Sequence, residues 1–376
     1  MKILFVITGL DLGGAENMLY KILERLNRSI YLPHVISLTT LGEFGVRIRD
    51  LGIKVEALGM RRNILSFLSV FYYLTMRVRT LKPDIVHTWL YHADVLGGLA
   101  ARLAGIKKIA WCLRCGEKGK NISFFSRKIG LPICAYFSKL IPDKIISCSR
   151  NAMRFHTKIA YPLEKMMLIP NGFDLAGYRP NSSAKMKMRA ELRIDIETPL
   201  VGIIGRFHPI KNHIGFLETA SLVSRNIQNV RYVLVGEGLD ENNTILLETA
   251  KHYGIKEKIK LLGLRKDIPY ILSGLDIVVS SSHSEAFPNV LGEAMASGVP
   301  CVVTDVGDSA YIVGDTGVVV APGDMAGLAS GIEKLLRLSP NERVSLGERA
   351  RERIKSNFEI GDIILKYEAF YRDLLS

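Results

Sequence analysis

Two carboxylates in the second half of the chain have the spacing of a ligand-binding pair. Glu285 and Glu293 lie eight positions apart, and Asn289, a common helix-capping residue, stands between them. We predict a helix that begins near Asn289, with Glu293 roughly 6 Å further along its axis. The two carboxylates would accept from hydroxyl groups, and the free N–H groups of the helix start, near Val290, would favour a phosphate. A nucleotide sugar presents both groups, whereas either Glu alone is equally consistent with an exposed acid on an amphipathic helix.

Two basic residues follow a strand that the apolar run 200–205 predicts. Arg206 and Lys211 lie directly after this run. Doubly wound sheets bind ligands at the carboxyl ends of their strands. One guanidinium and one ammonium group suit a diphosphate, although solvated surface charge explains the pair equally well.

A pair of glycines separates the first predicted strand from the first predicted helix. Gly13 and Gly14 allow close approach of the backbone to a ligand, and a helix start favours an anion. The spacing is not that of the dinucleotide fingerprint, and residues 37–41, where an acid would bind the ribose, contain none. A dinucleotide-dependent oxidoreductase is therefore disfavoured, and a tight turn without a ligand stays open.

Short apolar strands alternate with helical stretches in both halves of the chain, which predicts an α/β protein with two doubly wound parallel sheets. A chain of 376 residues also favours two domains. The polar and basic stretch 177–199 carries no predicted element and marks the boundary, with domains at 1–176 and 177–357. The predicted helices include 64–79, 124–140, 289–297 and 360–375.

The net charge of +13 is concentrated in the first half of the chain. Residues 1–180 hold 27 Lys and Arg against 12 Asp and Glu, a net charge of +15, and the remaining residues have a net charge of −2. The apolar stretch 64–76 follows Arg61 and Arg62 and precedes Arg77 and Arg79. It is too short to span a bilayer. It is either a buried helix beside solvated basic loops or a surface that meets anionic lipid or a lipid diphosphate.

Cysteines and acidic pairs give no sign of a metal site. The five cysteines are an odd number, which indicates a reducing cytosol, and the pair Cys112 and Cys115 lacks a second ligand pair. The chain also has no Asp-x-Asp motif. We therefore expect neither a metal nor another cofactor.

An ordered set of motifs makes the chain resemble a family 4 glycosyltransferase of the GT-B fold, a retaining class that uses nucleotide sugars, of the bacterial surface-polysaccharide type. The motifs span nearly the whole chain and lie at 13–16, 84–87, 91–94, 170–172, 205–211, 263–267 and 284–298. The resemblance implies two Rossmann-like domains with a cleft between them. It also implies that the last helix, within 358–376, packs back on the N-terminal domain.

The resemblance also assigns roles to residues of the donor site. Gly14, with Gly13, would approach the donor diphosphate, which Arg206 and Lys211 would bind. Glu285 would lie by the transferred sugar. The resemblance further implies that Glu293 binds the ribose and that the backbone of Leu264 and Arg265 contacts the nucleobase. The helix start at Asn289 and Val290 would also bind the donor.

The segment after the fifth strand departs from the family pattern. Many relatives place a His there, near the sugar, whereas residues 111–116 contain none. Arg114 is a candidate replacement. His87 and His92 are further candidates for contacts to the sugar or acceptor, although a structural role explains each of them as well.

The resemblance implies transfer of a hexose-type sugar, with retention, from a nucleotide diphosphate sugar to a glycan or lipid-linked saccharide, and a UDP-sugar is the donor we expect. The enzyme would be cytoplasmic and peripheral on the inner face of the membrane, which its basic domain would contact. A nucleotide-sugar epimerase is the alternative enzyme. A basic nucleic-acid-binding protein would explain the charge, but the first half lacks basic-aromatic interleaving and a recognisable binding module, so we expect no nucleic acid partner.

Overall fold

The computed structural model describes residues 1–116 and 130–376. The chain forms two compact units. Unit 1 comprises Met1–Gly172 and Gly361–Ser376, and unit 2 comprises Phe173–Ile360. The divisions therefore lie a few residues from the predicted boundaries at 176/177 and 357/358. The last stretch of chain, including most of the final helix, belongs to unit 1.

Unit 1 contains a parallel sheet of seven strands in the order β3-β2-β1-β4-β5-β6-β7. The order reverses between β1 and β4, which creates the switch point where doubly wound sheets bind ligands. The strands are β1 Lys2–Ile7, β2 Leu32–Ser37, β3 Lys54–Ala57, β4 Ile85–Trp89, β5 Ile109–Leu113, β6 Lys144–Ser147 and β7 Met166–Leu168.

The helices of unit 1 connect these strands and cover the sheet. They are α1 Gly14–Arg25, α2 Gly42–Asp50, α3 Ile64–Leu81, α4 Tyr91–Leu103, α5 Leu131–Leu140, α6 Arg150–Lys158 and the final helix α15 Ile360–Leu375. The sequence pattern did not predict α2 or β7. Of the predicted helix 124–140, residues 124–129 lie outside the described residues.

Alternating side chains of the strands pack against different helices of unit 1. Leu4 and Val86 share one apolar core with residues of α3, α4 and α5. Phe5 and His87, their neighbours along β1 and β4, instead contact Tyr371 of α15. Because side chains alternate between the faces of a strand, α15 lies on the face opposite α3, α4 and α5.

Unit 2 contains a parallel sheet of six strands in the order β10-β9-β8-β11-β12-β13. Here the order reverses between β8 and β11, so the loops after these two strands lie side by side. The strands are β8 Leu200–Ile204, β9 Arg231–Val235, β10 Ile259–Leu261, β11 Ile277–Ser280, β12 Cys301–Thr304 and β13 Val318–Val320.

Eight helices of unit 2 surround this sheet. They are α7 Ser182–Glu191, α8 His213–Asn226, α9 Thr244–His252, α10 Ile268–Gly274, α11 Asn289–Ala296, α12 Ser309–Val313, α13 Met325–Leu336 and α14 Pro340–Phe358. The prediction of an element-free linker at 177–199 was wrong, because α7 lies inside it. Arg189 of α7 is buried and donates to the carbonyl oxygen of Gly274 at 3.0 Å and to Asp276 at 2.6 Å, which docks the polar helix on the unit.

No helix among the described residues is both long and apolar enough to cross a bilayer.

Candidate active site

The carboxyl edge of the unit 2 sheet brings together a lysine and a glutamate from the loops after β8 and β11. The Lys211 ammonium lies 2.5 Å from a Glu285 carboxylate oxygen, and both side chains are largely shielded from solvent. Arg206, in the same loop as Lys211, is exposed. The structure therefore places all three predicted residues at one edge of one sheet.

Glu285 is fixed by further hydrogen bonds. The Ser282 hydroxyl donates to its carboxylate at 2.8 Å, and the buried Thr304 hydroxyl donates to the Ser282 carbonyl oxygen at 2.6 Å. Gly307 has a φ of 60°, and a Cβ there would lie 2.6 Å from the Glu285 carbonyl oxygen. Only glycine therefore allows the loop after β12 to support the loop that carries Glu285.

The loops after β8 and β11 are also joined directly. The Ser281 hydroxyl donates to the carbonyl oxygens of Lys211 and Asn212, both at 3.0 Å. The His283 N–H donates to the carbonyl oxygen of Ile210 at 2.7 Å. The separation of Lys211 from Glu285 is thus set by backbone contacts as well as by the ion pair. The serine run 280–282 was the sequence signal for this connection, and sequence reasoning missed it.

Helix α11 begins shortly after Glu285, and the residue at its N-cap position provides no side-chain cap. The predicted start of the helix near Asn289 is confirmed, but Asn289 is the first helical residue and not the cap: Pro288 is the N-cap residue and makes no side-chain cap. The N–H groups of Asn289 and Val290 therefore receive no side-chain cap from the preceding residue. An uncapped helix start attracts an anion through its N–H groups and its dipole.

Glu293 lies about one turn inside α11, where it is 8% exposed. The Tyr178 hydroxyl is hydrogen-bonded to its carboxylate. Burial raises the pKa of Tyr178 well above its ordinary value, and the Glu293 charge raises it further, so the hydroxyl keeps its proton and donates. Arg351 holds the segment in place by donating to the carbonyl oxygens of Leu175, at 2.8 Å, and Tyr178. No sequence pattern pointed to Tyr178, which is 115 positions from Glu293.

The loop after β10 carries the predicted nucleobase contacts. The Arg265 guanidinium binds Asp267 at 2.7 Å and Glu191 of α7 at 3.1 Å, so its charge is already paired. Leu264 is 55% exposed beside it. Gly263 fixes the loop by donating to the Leu239 carbonyl oxygen at 2.8 Å. What this loop offers a ligand is its backbone and an apolar side chain.

In unit 1, the predicted glycine pair lies at the carboxyl end of β1. Gly13 is the N-cap residue of α1, and Gly14 is the first helical residue; both are exposed. A Cβ at Gly13 would collide with the Glu16 carboxylate. The glycine at this position thus lets an acid fold back over the helix start.

His87 is fully buried and lies among aromatic rings. Its Nδ1 lies 2.9 Å from the Tyr371 hydroxyl, and the rings of Phe5, Trp89 and Tyr367 surround it. Burial, with a smaller contribution from the Arg114 charge, lowers the pKa of His87 to about 3. This placement contradicts the prediction that His87 contacts a sugar or acceptor, because no ligand reaches a side chain enclosed by α15.

Arg114 occupies the position after β5 where the family pattern has a His. Its guanidinium donates to the Asn171 side chain and, at 2.7 Å, to the Tyr367 hydroxyl, and it lies 4.0 Å from the centre of the Trp89 ring. Both terminal nitrogens therefore have protein partners. Arg114 joins β5 to the segment after β7 and to α15.

His92 is exposed in the first turn of α4, at the carboxyl end of β4. The residue before this helix, Leu90, has a φ of 74° and a ψ of 150°, a conformation that side chains other than glycine rarely adopt. Such strain is found most often at functional sites. Of the three predicted sugar or acceptor contacts, His92 alone is exposed.

In residues 1–116 and 130–376, no three side chains among His, Cys, Asp and Glu group in a way that could hold a metal ion.

Two parallel doubly wound units, with a charged pair at the carboxyl edge of the second, define a GT-B fold. The structure is similar to that of HepE (Alr3699) of Anabaena solved with UDP, with a TM-score of 0.86, 22% identity, and coverage of 99% of this chain and 100% of the other. It is also similar to WaaG, a glycosyltransferase involved in lipopolysaccharide biosynthesis, with a TM-score of 0.75, 14% identity, and coverage of 97% and 98%.

Sequence comparison assigns the family. The model described as Glycosyltransferase Family 4 matches residues 12–176, and the model described as Glycosyl transferases group 1 matches residues 184–353. A curated Escherichia coli relative, UDP-Gal:alpha-D-GlcNAc-diphosphoundecaprenol alpha-1,3-galactosyltransferase, is 27% identical over 301 residues, which cover 78% of this chain and 76% of the relative. The chain belongs to the family 4 glycosyltransferases.

Proposed function

We propose that this glycosyltransferase moves a hexose-type sugar, with retention, from a UDP-sugar to a lipid-linked saccharide that builds a surface polysaccharide. The Escherichia coli relative is named for a UDP-linked donor and a diphosphoundecaprenol acceptor. HepE was solved with UDP and, in another crystal, with UDP-glucose. The enzyme would work in the cytoplasm, peripherally on the inner face of the membrane where such an acceptor is reached.

The ion pair between Lys211 and Glu285 is the observation that carries this proposal. A diphosphate that binds Lys211 replaces one anionic partner with another, and Arg206 supplies a second cation for the same group. Positive groups fixed at the leaving diphosphate stabilise the charge that develops as the bond to the sugar breaks. Glu285, released from Lys211 in part, would accept hydrogen bonds from the sugar hydroxyls.

The neighbouring groups fit the rest of a nucleotide sugar. Glu293, oriented by Tyr178, would accept from the ribose hydroxyls, and the start of α11 at Asn289 and Val290 would face the phosphates with the positive end of its dipole. The backbone of Leu264 and Arg265 would contact the base. From unit 1, Gly13 and Gly14 would approach the diphosphate. His92 remains a proposed contact for the sugar or acceptor, whereas Arg114 is assigned a positioning role.

The donor is tested first by thermal unfolding in the presence of different nucleotide sugars. Ligand at 100 times its Kd stabilises the folded state by about 2.7 kcal/mol, so the true donor raises the unfolding temperature. The selected donor is then incubated with and without a lipid-linked saccharide. A changed sugar without acceptor would indicate an epimerase. Salt-dependent retention of the protein on DNA, without binding of any nucleotide sugar, would indicate the nucleic-acid-binding alternative.

Stereochemistry and metal dependence each need one measurement. The anomeric configuration of the new linkage, read by NMR, should equal that of the donor, and an inverted product would contradict retention. Activity should survive excess EDTA, because Arg206, Lys211 and the start of α11 can neutralise the diphosphate. Full loss of activity that Mn²⁺ or Mg²⁺ restores would contradict metal independence.

A further inference from the structure

Helix α3 exposes an apolar surface for most of its length. Its exposed large apolar side chains are Ile64, Leu65, Phe67, Leu68, Tyr72, Tyr73 and Met76. Leu65 is 76% exposed and Tyr72 is 69% exposed. The opposite side of the helix is buried against the sheet through Val70, Leu74 and Val78. Helix α3 therefore packs on the sheet with one side and exposes apolar side chains on the other. The interpretation of α3 as a buried helix was wrong for this outer side.

A second helix on the same face of the sheet has a similar surface. Helix α5 exposes Ile133, Tyr136 and Leu140, which recur at the spacing of one helical side. Helix α4 packs between these helices and contributes Leu103. We refer to the outer side of α3, α4 and α5 as the α3–α5 face.

The α3–α5 face exposes no acidic side chain. The three helices contain one acid, Asp94, which is fully buried and accepts a hydrogen bond from Thr88 at 2.6 Å. On the opposite face of the sheet, α15 exposes Asp362 and Asp373. The lack of negative charge is thus a property of one face and not of the whole unit.

Basic residues surround the exposed apolar surface. Arg61 and Arg62 are exposed directly before α3, and Arg79 and Lys82 are exposed at and just after its end. Among the described residues, neither the Arg61 nor the Arg62 side chain has an ion-pair partner. Arg77 is different, because its guanidinium binds Glu56, with Nε to Oε2 at 2.8 Å. The sequence alone had suggested Arg77 as a membrane contact, and the structure removes it from that set.

We propose that the α3–α5 face is the surface by which the enzyme docks, reversibly, on an anionic lipid bilayer. Apolar and aromatic side chains enter the boundary between head groups and acyl chains, while arginines and lysines bind lipid phosphates. A protein partner of complementary charge would have to cover a broad apolar surface and also pair with the basic residues around it. An anionic bilayer offers an apolar interior for the exposed apolar side chains and lipid phosphates for the surrounding basic residues, both over a broad surface.

The position of α3 would also orient the enzyme toward its acceptor. The exposed first turns of α3 follow the carboxyl end of β3, the edge of the sheet where Gly13 and His92 also lie. The entry to α3 is held there, because the Gly59 N–H donates to the Thr39 carbonyl oxygen at 3.0 Å. Docking through this face would bring a membrane-embedded acceptor to that edge, and this part of the inference rests on the lipid-linked acceptor of the proposed function.

The test is co-sedimentation of the full chain with vesicles, without donor or acceptor. Binding to phosphatidylcholine vesicles that contain phosphatidylglycerol should exceed binding to phosphatidylcholine alone at least tenfold and should weaken in high salt. The double variant Leu65→Ser with Leu68→Ser should lower binding about tenfold or more, because two highly exposed side chains no longer enter the bilayer. Arg61→Gln with Arg62→Gln should lower binding to anionic vesicles only.

Matched changes in unit 2 provide the controls. Ile245→Ser with Val344→Ser replaces two side chains that are 57% and 61% exposed, and Lys256→Gln with Lys260→Gln removes two exposed charges. These variants should bind vesicles like the unchanged chain. All variants should keep the unfolding temperature and UDP affinity, since the substituted side chains are exposed and none of them is a proposed donor contact.

Three results would overturn the proposal. One is equal binding to neutral and anionic vesicles, and another is unchanged binding of the Leu65→Ser, Leu68→Ser variant. The third is a concentration-dependent dimer that this variant abolishes in the absence of vesicle binding, because a second copy would then cover the face. A water-soluble acceptor analogue separates the two proposals. If transfer to it persists in variants that lose vesicle binding, docking and chemistry are independent; if no transfer occurs while docking does, only the proposed function fails.

Discussion

The two sheets end in edges of the same kind, yet the polar groups at these edges have different partners. In unit 2, Arg206 is exposed and Lys211 is held by a single carboxylate, so both can bind a ligand with little rearrangement. In unit 1, Arg114 is bound by Asn171 and Tyr367 and packs on an indole ring. The same residue type is thus exposed at the sheet edge in one unit and bound within the fold in the other.

The difference shows that a charged residue at the carboxyl end of a parallel strand is not by itself a site. What matters is whether its hydrogen-bonding capacity has been used within the fold. Among the described residues of unit 1, exposed arginines without an ion-pair partner include Arg61 and Arg62, in the loop between β3 and α3. Each of the following predictions separates a group that is available to a ligand from one that is committed to the structure.

The largest effect is expected in unit 2. Arg206→Ala and Lys211→Ala should each lower kcat/KM by about 10²-fold or more, because each change removes a charged contact to the leaving diphosphate. The unfolding temperature should hardly change. Arg337→Ala, which removes an exposed guanidinium paired with Glu333 at 3.1 Å, is the control. Near-normal turnover in both site variants would show that these cations are not the diphosphate ligands.

The opposite pattern is expected for Arg114. Arg114→Ala should lower the free energy of unfolding by about 2–3 kcal/mol, because Tyr367 and Asn171 lose a charged partner in a largely buried setting. Hydrogen exchange in α15 should accelerate, while UDP affinity is retained. If turnover were lost with unchanged stability, Arg114 would be a substrate contact, and the contrast between the two units would fail.

The packing of α15 on the sheet of unit 1 can also be examined by a pH experiment. The pKa of His87 is about 3 in the folded protein and near its ordinary value of 6.5 in the unfolded chain. The unfolded chain therefore binds a proton first as the pH falls, and stability present above pH 6.5 is lost progressively toward pH 3. The free energy of unfolding should drop by about 2 kcal/mol between pH 7 and pH 5 on account of this group.

The contribution of His87 is isolated by comparison with His87→Phe, whose unfolding free energy should fall less over the same pH interval. Burial raises the pKa of Asp94, which acts in the opposite direction, but it is present in both proteins and cancels in the difference. His252→Gln changes an exposed side chain and serves as the control. Parallel pH profiles for the parent and His87→Phe would contradict the burial argument.

The smallest effect concerns the ribose contact. Glu293→Gln should weaken UDP binding about tenfold with little change in kcat, since a ribose contact is made equally in the ground and transition states. Tyr178→Phe should weaken UDP binding less, because it removes only the orienting hydrogen bond. Calorimetry with UDP measures both. Glu285→Gln is the matched comparison and should chiefly lower kcat; a loss of UDP affinity in that variant alone would reverse the two roles.

Local sequence signals were sufficient where burial is strong and continuous. The strands Lys2–Ile7 and Cys301–Thr304 and the helix Ile360–Leu375 have the predicted bounds, because uninterrupted or periodic apolar residues define them. Helix α7 was missed, because its stability depends on the buried contacts of Arg189 with residues about 85 positions away. Tertiary contacts of this kind leave no periodic pattern in the helix itself.

In the candidate site, too, local sequence signals predicted some residues, and tertiary contacts determined the others. Arg206, Lys211, Glu285 and Glu293 were found from their positions after strands or at a predicted helix start. Their supports were not, since Ser282, Thr304 and Tyr178 act through loops that only the folded sheet brings together. The surroundings of His87 and Arg114 could not be predicted for a related reason: their hydrogen-bond partners Tyr371 and Tyr367 come from the far end of the chain.

The discontinuity of unit 1 has a consequence for how the protein is made. Unit 2 is one continuous segment, Phe173–Ile360, whereas unit 1 needs the last residues to cover Phe5 and His87. At roughly 5–20 residues per second, a ribosome needs about 10–40 s to pass from the end of the first segment to the start of the second. During this interval the nascent first unit exposes an aromatic surface that only the final helix can close. A chain released before Tyr371 would therefore carry a finished second unit and an open first one, a substrate for chaperones and proteases.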